Sequence, residues 1–155
     1  MRWALGLACL LALPLLAWEP STGKAAEGRA AELEKVLKER PLRELVELKE
    51  ERARQEGEPA WIKKTAWRIA EGGKTYLFGV GSAHGVKLPS LRFTVAETKA
   101  RAALVSMTGK TTVERGSAEG KTRTTTTTEG ETSAQPIDWY DAADGTLWAL
   151  VVEIR

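Results

Sequence analysis

Residues 137–154, IDWYDAADGTLWALVVEI, decide the fold. Ile137 and Trp139 alternate with Asp138 and Tyr140, Asp141 to Gly145 carry turn chemistry, and Thr146 to Arg155 alternate again. Trp148, Leu150, Val152 and Ile154 line one face of the last strand. Leu147, Ala149, Val151, Glu153 and Arg155 line the other, which turns polar toward its end. The stretch is a β-hairpin.

Upstream, Thr65 to Ala70 and Thr75 to Ser82 flank Glu71-Gly72-Gly73-Lys74, where two glycines supply the positive φ angles of a second tight hairpin. Tyr76, Phe78 and Val80 fall on one face of its second strand, with Leu77, Gly79 and Gly81 on the other. Between the hairpins, Pro89 and Ser90 open a helix over Ser90 to Thr108, and Gly109 closes it. Phe93, Ala96, Ala100, Ala103, Leu104 and Met107 form its stripe, small at the centre, which lets a sheet approach closely. Lys99 and Arg101 point elsewhere, toward water. Lys110 to Ala134, with five consecutive Thr at 124 to 128, predicts a long strand or protruding hairpin that turns near Ser117 to Gly120.

The N-terminal third has a different composition. Arg2 precedes an uncharged run from Trp3 to Ala17 with seven Leu and four Ala, which reads as a secretory signal peptide cut after Ala17. The run is short of the ~20 apolar residues of a membrane-spanning helix. Only about six apolar residues precede Cys9 and strongly apolar ones follow it, so Cys9 belongs to this leader and is not a lipidation site. Residues 18–58 read as linker and charged helical spacer. Ser21 to Arg29 is small and polar, whereas fifteen of the twenty-seven residues from Ala30 to Glu56 are charged, with Glu34/Lys38, Glu39/Arg43 and Glu50/Arg54 spaced for helix-surface pairs. Pro41 divides this stretch into two helices. Leu42, Leu45 and Val46 offer a docking or oligomerisation face. The folded domain is expected over 59–155, where composition turns aromatic.

Length and charge exclude several classes. The chain has 155 residues, room for one domain, and its 23 Lys and Arg against 21 Asp and Glu give no field for nucleic acid. One Cys and one His cannot build a zinc or iron-sulfur centre. Loss of Arg2 with the leader lowers the formal charge from +2 to +1. No metal site and no cofactor is expected.

Chemistry-bearing residues are few. Asp138, Asp141 and Asp144 form the one dense carboxylate group of the domain and could supply an acid and base, but Asp in turns caps its own backbone, and Asp144-Gly145 is a turn dipeptide. The spacing of a calcium loop is missing. His84, just past a strand end, could display a ligand or a catalytic base, but the domain has no Cys to pair with it and a single His cannot hold a metal. Gly79, Gly81 and Gly85 imitate a phosphate loop, but the third glycine comes one residue late and Pro89 intervenes. Trp61, Trp67, Trp139 and Trp148 read as core, with a ligand platform as the alternative. No residue is assigned a catalytic role.

The order of Pro59-Ala60-Trp61-Ile62, YLFGVGSA from Tyr76, AETKARAAL from Ala96 and the closing D-W-x-D-x-x-D-G-x-x-W-x-L-V resembles the LPP-twenty lipoprotein family of bacterial envelopes. The resemblance covers Pro59 to Ile154. It carries Trp61, Gly79, Gly81, Ala100, Arg101, Leu104, Asp138, Trp139, Asp141 and Gly145 over as motif residues with structural roles. It implies an α+β domain in which an antiparallel sheet of three or more strands wraps around one long helix, similar to dodecin and to the N-terminal domain of flagellar assembly protein T. It further implies an exported, non-enzymatic protein of the periplasm, outer membrane or cell surface. Such a protein would work in assembly with envelope proteins or by self-association, and its membrane association, where present, would be indirect. A small-molecule or glycan binding domain is the alternative. The chain departs from the family in lacking a usable lipobox and in carrying the Thr-rich insertion.

Overall fold

A computed structural model describes residues 18–118, 121–129 and 132–155; side chains of Leu42 and of residues 110–131 lie outside the description. The leader at 1–17, with Cys9 and the cut after Ala17, also lies outside the described residues. The elements run α1 (Gly23–Glu39), α2 (Leu42–Ala53), a 3₁₀ turn (Ala60–Lys63), β1 (Ala66–Glu71), β2 (Lys74–Ala83), α3 (Pro89–Thr108), β3 (Lys110–Ala118), β4 (Lys121–Glu129), β5 (Gln135–Asp141) and β6 (Leu147–Ile154). Four strands form an open antiparallel sheet in the order β1-β2-β6-β5, and β3 pairs with β4 in a separate two-stranded ribbon. The architecture is α+β.

The Gly72-Gly73 turn forms as expected, with φ of 59° and 79°. Alternation along β2 and β6 then sorts the core into two layers. Tyr76, Phe78, Val80, Leu150 and Val152 face Ala26 and Ala30 of α1 and Trp61 of the 3₁₀ turn. Leu77 and Val151 face Ala100 and Leu104 of α3, while Ala83, Leu147 and Ala149 meet Phe93 and Ala96.

The close seat of α3 depends on glycine. A Cβ at Gly79 would lie 2.3 Å from the Ala100 carbonyl oxygen, and one at Gly81 would lie 2.2 Å from Ala100 N and 2.3 Å from the Ala96 oxygen. Gly79 and Gly81 therefore let the helix backbone rest on the strand, where Ala96 and Ala100 contribute little bulk. This explains the small-centred stripe. Met107, at the stripe's end, is 40% exposed.

The N-terminal segment is not a spacer. The linker expected over Ser21 to Arg29 is the beginning of α1, whose Ala26, Ala30 and Leu33 are buried. Thr22 Oγ1 accepts from Ala25 N (3.2 Å), and Glu71 Oε2, from the hairpin beneath, accepts from Gly23 N (2.8 Å) and Lys24 N (3.3 Å). A carboxylate at a helix N-terminus is electrostatically favoured. Trp18 also packs against the core, with the Arg29 guanidinium 4.5 Å from its ring. The boundary at Pro59 thus falls inside one packed unit. α1, with Trp61 of the 3₁₀ turn, covers the sheet face of Tyr76 and Phe78. The break at Pro41 is present, and Leu45 and Val46 of α2 are half-buried.

The strict alternation expected for β5 is overturned. The register shifts between Pro136 and Asp138, a bulge that leaves Ile137 in the α1-side cluster and Trp139 in the α3-side cluster. Asp138 consequently turns inward. The turn expected between Ser117 and Gly120 falls between β3 and β4, with residues 119 and 120 outside the description.

Candidate functional site

The polar residues singled out above separate into a buried group under α1, a cleft at one end of the sheet, and the outer strand edges. The buried group is centred on Asp138, which is 0% exposed. Its Oδ1 accepts from Arg29 Nη2 (2.8 Å) and from Gln55 Nε2 (3.0 Å). The same two side chains also serve the β5 backbone: Arg29 Nε donates to the Ile137 carbonyl (2.7 Å) and Gln55 Nε2 to the Trp139 carbonyl. Burial pushes the Asp138 carboxyl above its ordinary value, against the opposing pull of Arg29, Gln55 and the Trp139 backbone. Asp138 Oδ2 and Trp61 Nε1, an acceptor and a donor, are both buried without a hydrogen-bond partner. Asp138 is therefore a strand residue that clamps α1 and the segment just after α2 onto β5, and the turn-capping role expected of it is not the one it has.

A second buried pair lies on the opposite side of β5. Glu97 of α3 accepts from Lys49 Nζ (2.6 Å) and from the Trp139 indole (3.1 Å), and Lys49 Nζ sits 5.1 Å from the Trp139 ring centroid and 5.6 Å from that of Phe93. Phe93 and Trp139 meet edge to face at 6.1 Å. Arg101, expected to point to water, is half-buried: its Nε donates to the Ala134 carbonyl (3.0 Å), with Glu97 Oε2 at 3.9 Å from Nη1.

The end of the sheet gathers His84, Asp141, Asp144 and Gly145 around an open cleft of about 600 Å³, joined by Arg92 and Lys87. Arg92 Nη2 binds Asp141 Oδ1 (2.7 Å) and the Gly145 carbonyl (3.2 Å). Asp144 Oδ1 accepts from Thr146 N (2.8 Å), a bond that holds its pKa below the ordinary value. Gly145 takes φ 80° in the same turn. His84 Nδ1 lies 3.0 Å from Thr146 Oγ1. The carboxylate thus reaches the threonine and not the second imidazole nitrogen, whereas a nucleophilic triad orients its base through that nitrogen. The arrangement fastens the loop after β2 to the turn before β6.

Gly79 and Gly81 lie in mid-strand beneath α3 and are closed to a phosphate. Trp61 and Trp139 are fully buried, and Trp67 stacks on Phe78 across β1 and β2 at 4.8 Å, so the four tryptophans do not form one platform. Among the described residues no group of three or more His, Cys, Asp and Glu side chains is placed to hold a metal, and no helix is long and apolar enough to cross a membrane.

The roles of Arg29 and Gln55 escape a local reading because Arg29 ends the small polar stretch and Gln55 lies in the charged one, where nothing distinguishes a buried polar side chain from a solvated one. A weak signal existed in Ala26, Ala30 and Leu33, whose spacings of four and then three mark an apolar stripe with Arg29 beside it. Set against known protein families, characterised proteins and solved structures, the chain matches none.

Proposed function

We propose that this chain is an exported, non-catalytic protein of the bacterial envelope that acts in assembly, related to the LPP-twenty lipoproteins and built like them as a dodecin-like sheet curled on α3. The reading draws on the motif order from Trp61 to Val151 and on the packing of α3 over Gly79 and Gly81. One observation carries it. The side chains that offered chemistry, Asp138, Asp141, Asp144 and His84, are engaged in fastening elements together, while the outer edge of β1 has no paired strand among the described residues. Unpaired edges accept strands from other chains. Fractionation of expressing cells with N-terminal sequencing tests it: the protein is expected in the envelope fraction, beginning at Trp18 and without lipid. Recovery of the uncut chain from the cytoplasm would refute export.

A second reading, binding of a small molecule or glycan, is favoured by the cleft of about 450 Å³ between α1 and α2, lined by Trp18, Arg29, Leu48, Glu51, Arg52 and Gln55. It predicts a change in Trp18 emission and a raised Tm with an envelope metabolite. A broad ligand screen leaving both unchanged removes it.

A further inference from the structure

The two edges of the sheet differ in what covers them. On β5 the outward carbonyls of Ile137 and Trp139 are already taken by Arg29 and Gln55, Pro136 lacks an N–H, and the bulge breaks the repeat. The carbonyls at the centre of that edge are blocked. On β1 the pairing itself fixes which groups point outward. Glu71 with Lys74, Ile69 with Tyr76 and Trp67 with Phe78 are the hydrogen-bonded pairs, in phase with the Val80 N bond to the Thr65 carbonyl (2.9 Å). The N–H and C=O groups of Ala66, Arg68 and Ala70 therefore point away from the sheet. Among the described residues none of these groups has a partner, and β1 contains neither proline nor bulge.

Charge then selects the occupant. Arg68 is exposed at the centre of the edge and has no ion-pair partner among the described residues. Lys64, at the strand entrance, lies 4.7 Å from the Trp67 ring and likewise has no carboxylate partner among them. The β1 edge of a second copy does not answer this charge. In any twofold antiparallel pairing of β1 with itself, Arg68 falls opposite Lys64, Ala66, Arg68 or Ala70 of the other copy, because only residues of that phase point outward. Glu71 is in the opposite phase and is engaged at the N-terminus of α1. Like charges or neutral residues opposite Arg68 leave it uncompensated.

We infer that the β1 edge accepts an extended segment of a different protein, one with Asp or Glu opposite Arg68 and apolar residues on either side that meet Trp67 and Ile69. This rests on the assembly reading above and names its acceptor surface and partner chemistry. Main-chain bonds to Ala66, Arg68 and Ala70 supply affinity, and the carboxylate sets register and choice of partner.

Amide hydrogen exchange on the full chain tests it, with two synthetic peptides as probes: Thr-Thr-Val-Glu-Val-Thr-Thr and its Lys-centred twin. The outward amides of Ala66, Arg68 and Ala70 are expected to exchange fast in the free protein and at least ten-fold more slowly with the Glu peptide, and to be unaffected by the Lys peptide. Arg68→Glu should reverse the preference. Arg68→Pro removes the guanidinium and an outward N–H but no ladder bond to β2, so it should abolish the slowing while the ladder amides of Trp67 and Ile69 stay protected. The inference is overturned if the outward amides are already slow in dilute protein, if protein concentration alone slows them, or if the peptides act equally or not at all. Photo-cross-linking in cells separates this failure from that of the assembly reading. Capture from position 113 on the β3–β4 ribbon with none from position 68 removes the edge alone, and silence at both removes both.

Discussion

Gly81→Ala adds one methyl group where there is no room for it. The new Cβ would lie 2.2 Å from Ala100 N, 2.3 Å from the Ala96 oxygen and 2.7 Å from the Lys99 carbonyl carbon, all of them backbone atoms of α3. No rotamer change relieves such contacts. The helix must lift by about 1 Å to restore ordinary separations, and a gap of that size forfeits roughly a quarter to a half of the dispersion energy across the contact. The contact includes Ala96, Ala100 and Leu104, each 0% exposed. Overpacking commonly costs about 1–3 kcal/mol, and with loosened packing of α3 we expect at least ~3 kcal/mol here. For a chain of this size that corresponds to a fall in Tm of about 10 °C. Gly28→Ala is the control: Gly28 is exposed within α1 with nothing within 4 Å of its would-be Cβ. There the same substitution should stabilise by about 1 kcal/mol through helix propensity. Urea unfolding followed by circular dichroism gives both numbers. A Gly81→Ala protein within about 1 kcal/mol of wild type would refute the account of how α3 is seated.

Asp138→Ala leaves Arg29 without its buried carboxylate and should cost about 3–5 kcal/mol in urea unfolding. Because the folded-state pKa of Asp138 is raised, the folded chain holds that proton more tightly than the unfolded one. Its stabilising contribution is therefore full below the ordinary value of 3.8 and is lost as pH rises through the raised pKa. Stability relative to Asp138→Asn should fall across that interval, and a constant difference from acid to neutral pH would contradict it. Glu97→Gln should cost about 1–3 kcal/mol by leaving Lys49 half-paired among aromatic rings, with a change in Trp139 emission as a second readout. Arg29→Ala combined with Gln55→Ala frees the outer carbonyls of β5, and light scattering should then detect concentration-dependent association absent from wild type.

Elements with strong local signals were legible from the residues alone. The two hairpins, α3 and the faces of β2 and β6 follow from alternation, glycine turns and helix boundaries, and the small-centred stripe of α3 already implied close approach of a sheet. What was not legible depended on long-range contact. The first turn of α1 is capped by Glu71, 48 residues away, so Ser21 to Arg29 shows only small polar residues when read locally. The bulge at Pro136 moves Asp138 from a turn-like reading into the core, and period-two alternation cannot show one inserted residue. Asp144, whose bond is to the amide two residues on, behaves as its local sequence suggests. The difference between the two aspartates is sequence distance to the partner.

The blocking of the central β5 carbonyls by Arg29 and Gln55 has a consequence for valency. A subunit that joins others by strand addition needs two open edges to propagate a filament, since each new arrival must present a fresh edge to the next. Among the described residues the four-stranded sheet leaves one edge wholly free, that of β1. Through its β1 edge the chain can end a row of strands but cannot extend one, which makes it a terminator in any architecture it enters by that route.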